Sequence, residues 1–206
     1  HIRFGTFQRL AYIERPDLMR QLIEHSIETY YPRHAHLDFD AKVAALLGEA
    51  VEAGARLAAS WMAAGFVHGV LNTDNLNITG ESFDYGPWRF APTSDPSFTA
   101  AYFDQTGLYS FGRQPEAVSW ALSQLGGALS LVAPIPSLEP ELHRFAPAYQ
   151  TALRNKMFTR LDLVAGDFAA DLEFLQAVFD WLTTSQAGWD QFFFDWESGA
   201  PSAPRA

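Results

Sequence analysis

The sequence contains no cysteine and comparatively few basic residues. Without cysteine the chain can form neither disulfides nor thiolate metal sites, which is typical of the reducing cytoplasm, where we expect this protein to act. Lysine and arginine number 14 against 24 aspartates and glutamates, for a net charge of −10. Since a nucleic-acid surface needs clustered basic side chains, this balance argues against a nucleic-acid partner. No apolar run reaches the roughly 18–20 residues of a membrane span, so we expect no membrane partner either.

Two common phosphate-binding motifs are also missing. Neither a Gly-x-Gly-x-x-Gly loop nor a Walker-type Gly-Lys-Ser/Thr occurs in the sequence. The first residues lack the basic, apolar and small-residue succession of a secretory leader, so we expect no secretion signal. Any nucleotide chemistry in residues 1–206 must therefore rest on groups other than a glycine-rich loop.

The residues that are present predict a mainly α-helical domain with a small β-hairpin. Of the 206 residues, 48% are hydrophobic and 15% aromatic, enough to bury a sizeable core. Apolar residues recur at helical intervals in five segments: 16–30, 40–64, 116–132, 139–160 (opened by Pro140) and 167–184. Residues 76–83 alternate apolar and polar around Gly80, which predicts a tight hairpin. We expect one domain over residues 1–198 and a frayed tail over 199–206.

Two closely spaced turns carry the polar residues that indicate chemistry. Asn75 follows His68 by seven residues, and Asp84 opens an Asp-Tyr-Gly sequence shortly afterwards. In protein kinases an asparagine and a following aspartate in this register hold Mg²⁺ against the nucleotide phosphates. The kinase catalytic aspartate would fall at Val70, whereas the nearest carboxylate is Asp74. The sequence thus predicts the metal ligands of a kinase-type site without its usual base.

This combination resembles the SelO (selenoprotein O) family, the kinase-like protein adenylyltransferases. The resemblance rests mainly on His-Gly-Val-Leu-Asn-Thr-Asp-Asn at residues 68–75 and Asp-Tyr-Gly-Pro at residues 84–87. Three further stretches agree with the family: residues 1–8, 109–115 and 192–196. Leu108 and the pair Trp88-Arg89 depart from the family pattern. Family members are more than twice as long, and their first half carries the glycine-rich loop and the phosphate-binding lysine. We therefore expect a carboxy-terminal fragment, the large lobe of a kinase-like enzyme whose amino-terminal lobe is its partner.

The resemblance implies transfer of AMP from ATP to serine, threonine or tyrosine hydroxyls of proteins. It implies Asn75 and Asp84 as ligands of Mg²⁺ or Mn²⁺, with Asp84 also against the nucleotide, and Asp74 as the proton acceptor. UTP in place of ATP stays open. Two other functions also stay open: an ordinary phosphotransferase, against which Val70 counts, and a non-catalytic binding module.

Several of these residues also have a purely structural interpretation. Asp74 could cap a turn, and His68 is expected to hold its loop rather than to react. His34 and His36 could form a metal pair, but without further ligands at suitable spacing a connecting loop is the better interpretation. The aromatic residues 192–196 could form a stacking platform, although packing against the lobe is favoured.

Overall fold

The computed structural model describes residues 1–196, and helices dominate them. The eight α-helices are α1 (Phe4–Tyr12), α2 (Pro16–Tyr30), α3 (Phe39–Ala64), α4 (Gln114–Leu129), α5 (Ile135–His143), α6 (Phe145–Arg160), α7 (Phe168–Ser185) and α8 (Trp189–Asp195). Short 3₁₀ helices span Pro32–His34 and Phe111–Arg113. Strand β1 (Phe66–Val67) pairs antiparallel with β2 (Arg89–Phe90). The mainly helical prediction is confirmed, and the predicted tail at 199–206 lies outside the described residues.

Helix α3 is the central element and leads directly into the candidate site. Asp38 caps its first turn by accepting a hydrogen bond from the Ala41 amide at 2.9 Å. Gly65 ends the helix with φ of +66°, a left-handed conformation that glycine adopts readily. Between these ends α3 packs against α2, α4, α5 and α6. The chain therefore leaves a rigid, buried helix only one residue before β1 and the loop that follows.

One predicted helix is wrong in its extent. The segment 139–160 belongs to two helices that meet at Arg144, and Pro140 lies inside α5 instead of opening a helix. Pro147 gives a physical reason for the break. In the first turn of α6 its missing N–H is tolerated, whereas inside a continuous helix its ring would clash with the preceding turn. The helices predicted over 16–30, 40–64, 116–132 and 167–184 are confirmed within a few residues.

The predicted hairpin is present, although it forms no regular strand pair. Leu76 and Ser82 make a single antiparallel bridge, and Gly80 turns the chain with φ of +85°. The regular two-stranded sheet is instead β1 with β2, whose residues flank the hairpin in sequence. Helix α1, which the helical periodicity did not single out, lies against the loop between β1 and the hairpin.

The last helix packs back onto the end of α3. Trp189 is buried, and its Nε1 donates to the carbonyl of Ala63 at 3.3 Å. Phe192 and Phe193 are buried in the same apolar cluster, whereas Phe194 and Trp196 are 51% and 37% exposed. The packing interpretation therefore holds for the first two aromatic residues of 192–196. Within residues 1–196 no helix is both long enough and apolar enough to cross a membrane.

Candidate active site

The loop over residues 68–75 is shaped by its own side chains. The amide of Asn75 donates to the carbonyl of Asn72 at 3.1 Å, and the amide of Asp74 donates to Asn72 Oδ1 at 2.8 Å. In return, Asn75 Oδ1 accepts from the Asn72 amide at 3.4 Å. Asparagine and aspartate favour such turns because their short side chains bond to the nearby backbone. The turn leaves Asn75 buried and Asp74 exposed.

His68 holds this loop to the hairpin through a buried hydrogen-bond chain. Its Nε2 lies 2.9 Å from Ser82 Oγ, and the Ser82 hydroxyl donates to the carbonyl of Asn75 at 2.7 Å. The amide of Val70 donates to His68 Nδ1 at 3.4 Å, which places the imidazole proton on Nε2. Burial lowers the pKa of His68 from 6.5 to about 4, so the ring is neutral at physiological pH. These contacts fit the structural role expected for this histidine.

Gln114 fixes the start of the loop, although the resemblance marked only the stretch 109–115 that contains it and not this side chain. This fully buried side chain accepts from the His68 amide at 2.9 Å and donates to the carbonyl of Phe66 at 2.8 Å. A buried primary amide must satisfy its donors and acceptor, and here both sides bond to the backbone around β1. Within that stretch, the local signal was a glutamine directly before a proline at the start of a helix.

The hairpin brings Asp84 back to Asn75. The amide of Asn77 donates to the carbonyl of Glu81 at 2.9 Å, and the amide of Phe83 donates to the carbonyl of Asn75 at 3.3 Å. Asp84 follows Phe83 directly in the chain. Of the two proposed metal ligands, Asn75 therefore accepts this backbone hydrogen bond and Asp84 is next to its donor. Asp84 has φ of +57°, which is unusual for a residue other than glycine.

An arginine near the start of the chain lies beside Asp84. Asn75, Asp84 and this arginine together are called the corner below. Arg3 Nη1 lies 3.5 Å from Asp84 Oδ2, and the guanidinium covers the ring of Phe83 with 4.6 Å to its centroid. Arg3 forms an antiparallel bridge with Asn77, whose Oδ1 accepts from the amide of Ile2 at 2.7 Å. The sequence singled out the stretch 1–8 but not this particular side chain.

The carboxylate of Asp74 lies over the beginning of α1. The amide of Gly5 donates to the carbonyl of Thr73 at 3.0 Å, and a Cβ at position 5 would overlap Asp74 Oδ1 and lie 3.0 Å from its Cγ. A carboxylate is favoured at this place because the first turn of a helix exposes amide groups with partial positive charge. The absence of a side chain at Gly5 therefore leaves room for Asp74.

The donor atoms of the corner suit a hard cation. The residues concerned, Asn75 and Asp84, offer an amide oxygen and a carboxylate, the ligand types that Mg²⁺ prefers. No three His, Cys, Asp or Glu side chains within residues 1–196 come together as a metal cluster, so a cation here would need water or phosphate oxygens as well.

His34 lies in the 3₁₀ helix between α2 and α3, and its Nε2 is 2.9 Å from Glu49 Oε1. This ion-pair geometry fits the connecting-loop interpretation of the histidine pair.

An exposed aromatic face adjoins the corner. Tyr85, Trp88 and Phe90 are 43%, 49% and 55% exposed, and with Trp61 and Phe66 they line an open concavity of about 570 Å³. The ring of Tyr85 lies 4.9 Å from that of His68, which connects this face to the buried loop. Large apolar patches of this kind are rarely left exposed on isolated soluble domains.

The chain resembles known proteins over nearly its whole length. Residues 1–202 match the family model described as "Protein adenylyltransferase SelO". The "Protein nucleotidyltransferase YdiU" of Trichormus variabilis is 44% identical over 95% of this chain and 40% of its own length. The proteins of the same name from Gloeobacter violaceus and Chromohalobacter salexigens are 42% and 41% identical, over 99% and 92% of this chain and 44% and 37% of their own lengths. The chain thus spans about 40% of the length of these curated relatives, and it belongs to the SelO family.

Proposed function

We propose that the chain is the kinase-like large lobe of an enzyme that transfers AMP from ATP to serine, threonine or tyrosine hydroxyls of proteins. The observation that carries this proposal is the hairpin that sets Asp84 beside the hydrogen bond between Phe83 and Asn75. Amide and carboxylate oxygens on two adjoining turns next to Arg3 are suited to a metal-bound phosphate. The family description and the relatives' name as nucleotidyltransferases support the same reaction class.

In the proposed reaction the acceptor hydroxyl oxygen forms a bond to the α-phosphorus of ATP. The bond from that phosphorus to the bridging oxygen breaks, and pyrophosphate leaves. Asp74 accepts the hydroxyl proton, because its exposed carboxylate adjoins Asn75 and is held by the turn below it. Such transfers depend more on positioning and charge than on a strong base.

Asn75 and Asp84 are the residues that would hold Mg²⁺ or Mn²⁺, and Asp84 would also lie against the nucleotide. A bound divalent cation would neutralise the charge that builds on the phosphates. Arg3 already lies 3.5 Å from Asp84 and is 39% exposed, so its guanidinium is able to turn toward a phosphate oxygen. Arginine suits this task because its planar group donates two parallel hydrogen bonds.

The proposed partner inside the enzyme is an amino-terminal lobe. It would supply the glycine-rich loop, which residues 1–206 lack, and the phosphate-binding lysine. We place its contact on the aromatic face of Trp61, Phe66, Tyr85, Trp88 and Phe90. That face is exposed, concave and adjacent to Asp84, as a surface shared by two lobes around a nucleotide should be. We further propose a cytoplasmic location and protein acceptors as the other partners.

The type of transfer is tested by mass spectrometry. The full-length enzyme is incubated with ATP, Mg²⁺ and an acceptor protein, and the modified residue is identified. A mass gain of one AMP group supports the proposal. A gain of one phosphate would identify a phosphotransferase instead, and no modification under any nucleotide would favour a binding module. Parallel reactions with UTP determine which nucleotide is preferred.

A further inference from the structure

A second cavity lies beside the loop over residues 68–75, and the AMP transfer described above does not use it. Its volume is about 200 Å³. We call this cavity the acceptor pocket. Its apolar wall is formed by Leu71, Leu108, Tyr109, Ala117 and Trp120. Leu71 belongs to the catalytic loop, whereas Ala117 and Trp120 belong to α4. The pocket therefore bridges the loop and the segment that precedes α4.

The size and lining of the acceptor pocket fit one apolar side chain. Sites for nucleotides and other small molecules usually enclose about 300–1,000 Å³, so this cavity is too small for a second nucleotide. Arg113 and Glu116 stand at its edge and pair with each other at 3.2 Å. The other lining residues are largely apolar, so the pocket mainly offers apolar contact.

The segment that forms the pocket wall is held in place by Asp104. Its Oδ1 accepts from the amide of Leu108 and its Oδ2 accepts from the amide of Tyr109, each at 2.8 Å. Gly107 allows the tight turn with φ of +66°. A pocket that is already formed binds its ligand without the entropic cost of ordering the wall.

The position of the pocket relates it to the acceptor protein. Leu71 lies three residues before Asp74, and three residues of chain span at most about 11 Å. The Cα atoms of Leu71 and Asp74 are thus at most about 11 Å apart, a separation that three residues of an extended acceptor segment can span. On the same loop as Leu108, Tyr102 and Phe103 are 91% and 54% exposed. Exposed aromatic side chains are enriched in the energetically important parts of protein interfaces.

We propose that the acceptor pocket binds one large apolar side chain of the acceptor protein, at most three residues from the modified hydroxyl. This inference rests on the proposed transfer to proteins and specifies which acceptors are preferred. Leucine, methionine or phenylalanine beside the hydroxyl would bury apolar surface against Leu108 and Trp120, which are 47% and 53% exposed when the pocket is empty.

The proposal is tested with peptide acceptors and the full-length enzyme. Each peptide carries one serine in an alanine background, with a single leucine at one position from three residues before the serine to three after it. We expect kcat/KM to rise about tenfold or more for leucine at one position relative to the all-alanine peptide. Trp120→Ala and Ala117→Trp should remove this preference, so that the leucine peptides react no faster than the all-alanine peptide. Trp181→Ala is the matched control, because Trp181 is also a half-exposed tryptophan on a helix but lies in a different groove.

The possible outcomes separate this inference from the proposed function. Equal transfer to all peptides, or a leucine preference that survives both pocket variants, would overturn the acceptor pocket and leave AMP transfer intact. Failure to label any peptide or any protein acceptor would overturn the proposed function, and the inference with it. Thermal unfolding of each variant is the folding control. A midpoint equal to that of the wild type shows that the pocket changes do not act through misfolding.

Discussion

His68 and Ser82 meet in the interior with 2.9 Å between Nε2 and Oγ, and this contact joins the two turns that carry Asn75 and Asp84. Because Ser82 also donates to the carbonyl of Asn75, the fully buried imidazole holds the base of the hairpin from the interior. Changes in the hydrogen bonds among His68, Ser82 and Asn75 should therefore affect mainly the stability of the protein. Changes in Asp74 or Asp84 should affect mainly its activity.

The first prediction concerns the effect of pH on stability. The folded state keeps His68 neutral down to about pH 4, whereas the unfolded chain takes up this proton near pH 6.5. The unfolded state thus binds more protons between these values, so the free energy of unfolding falls as pH decreases from 6.5 to 4, by at most about 1.4 kcal/mol per pH unit. Urea denaturation across this range measures the slope. The slope should be smaller in His68→Gln, and an unchanged slope in that variant would contradict the assignment.

The second prediction ranks the two carboxylates. In the full-length enzyme Asp84→Ala should lower turnover by about a thousandfold or more, since the phosphate charge loses a metal ligand. Asp74→Ala should lower it by about a hundredfold, because positioning remains intact. Initial rates with labelled ATP provide the comparison, after circular dichroism has shown that both variants are folded. Near-normal turnover by Asp84→Ala would exclude it as a metal ligand.

The third prediction uses a helical glycine. In Gly5→Ala the new methyl group would overlap Asp74 Oδ1, so the carboxylate must move and turnover should fall at least about tenfold. Gly127→Ala is the matched control, because it is also helical and its Cβ would have no neighbour within 4 Å. That change should stabilise α4 by about 0.5–1 kcal/mol and leave activity unchanged. If Gly5→Ala retained full activity, the carboxylate of Asp74 would not need its observed position.

The fourth prediction concerns residues 1–206 on their own. They should fold, because most of the helices pack around α3 and bury a large core, but they should not transfer nucleotide without a phosphate-binding lysine and loop. Circular dichroism with thermal unfolding tests the first part, and incubation with labelled ATP, Mg²⁺ and a protein acceptor tests the second. Label on the acceptor that disappears in Asp84→Ala would show that an amino-terminal lobe is dispensable.

The predictions from sequence succeeded where the signal is local. The apolar spacing and capping residues of α2 and α3 marked those helices closely, and Gly80 marked the hairpin that returns the chain to Asn75. The site elements that sequence missed depend on distant partners. Gln114 bonds to Phe66 across 48 positions, and the hydrogen bond from Ile2 to Asn77 spans 75, so no window of neighbouring residues contains either relationship.

The split between α5 and α6 shows a different limit. Apolar periodicity continues through residues 139–160, and a single helix is its simplest interpretation. Two prolines, at 140 and 147, compete with that periodicity, and the pattern alone does not show which one interrupts the helix. The structure accommodates Pro140 within α5 and ends that helix at His143, before Pro147.

Trp189 closes the end of α3 through its hydrogen bond to Ala63, 126 positions earlier in the chain. Its backbone amide also bonds to the carbonyl of Pro92 at 3.0 Å, so α8 fixes both segments that flank the turns of the proposed site. During synthesis these contacts cannot form until Trp189 has left the ribosome, since long-range contacts wait for the later partner. A chain released before α8 is translated would carry every proposed catalytic residue and still lack the support that holds them in place. Premature termination before Trp189 should therefore yield an inactive protein rather than a partly active one.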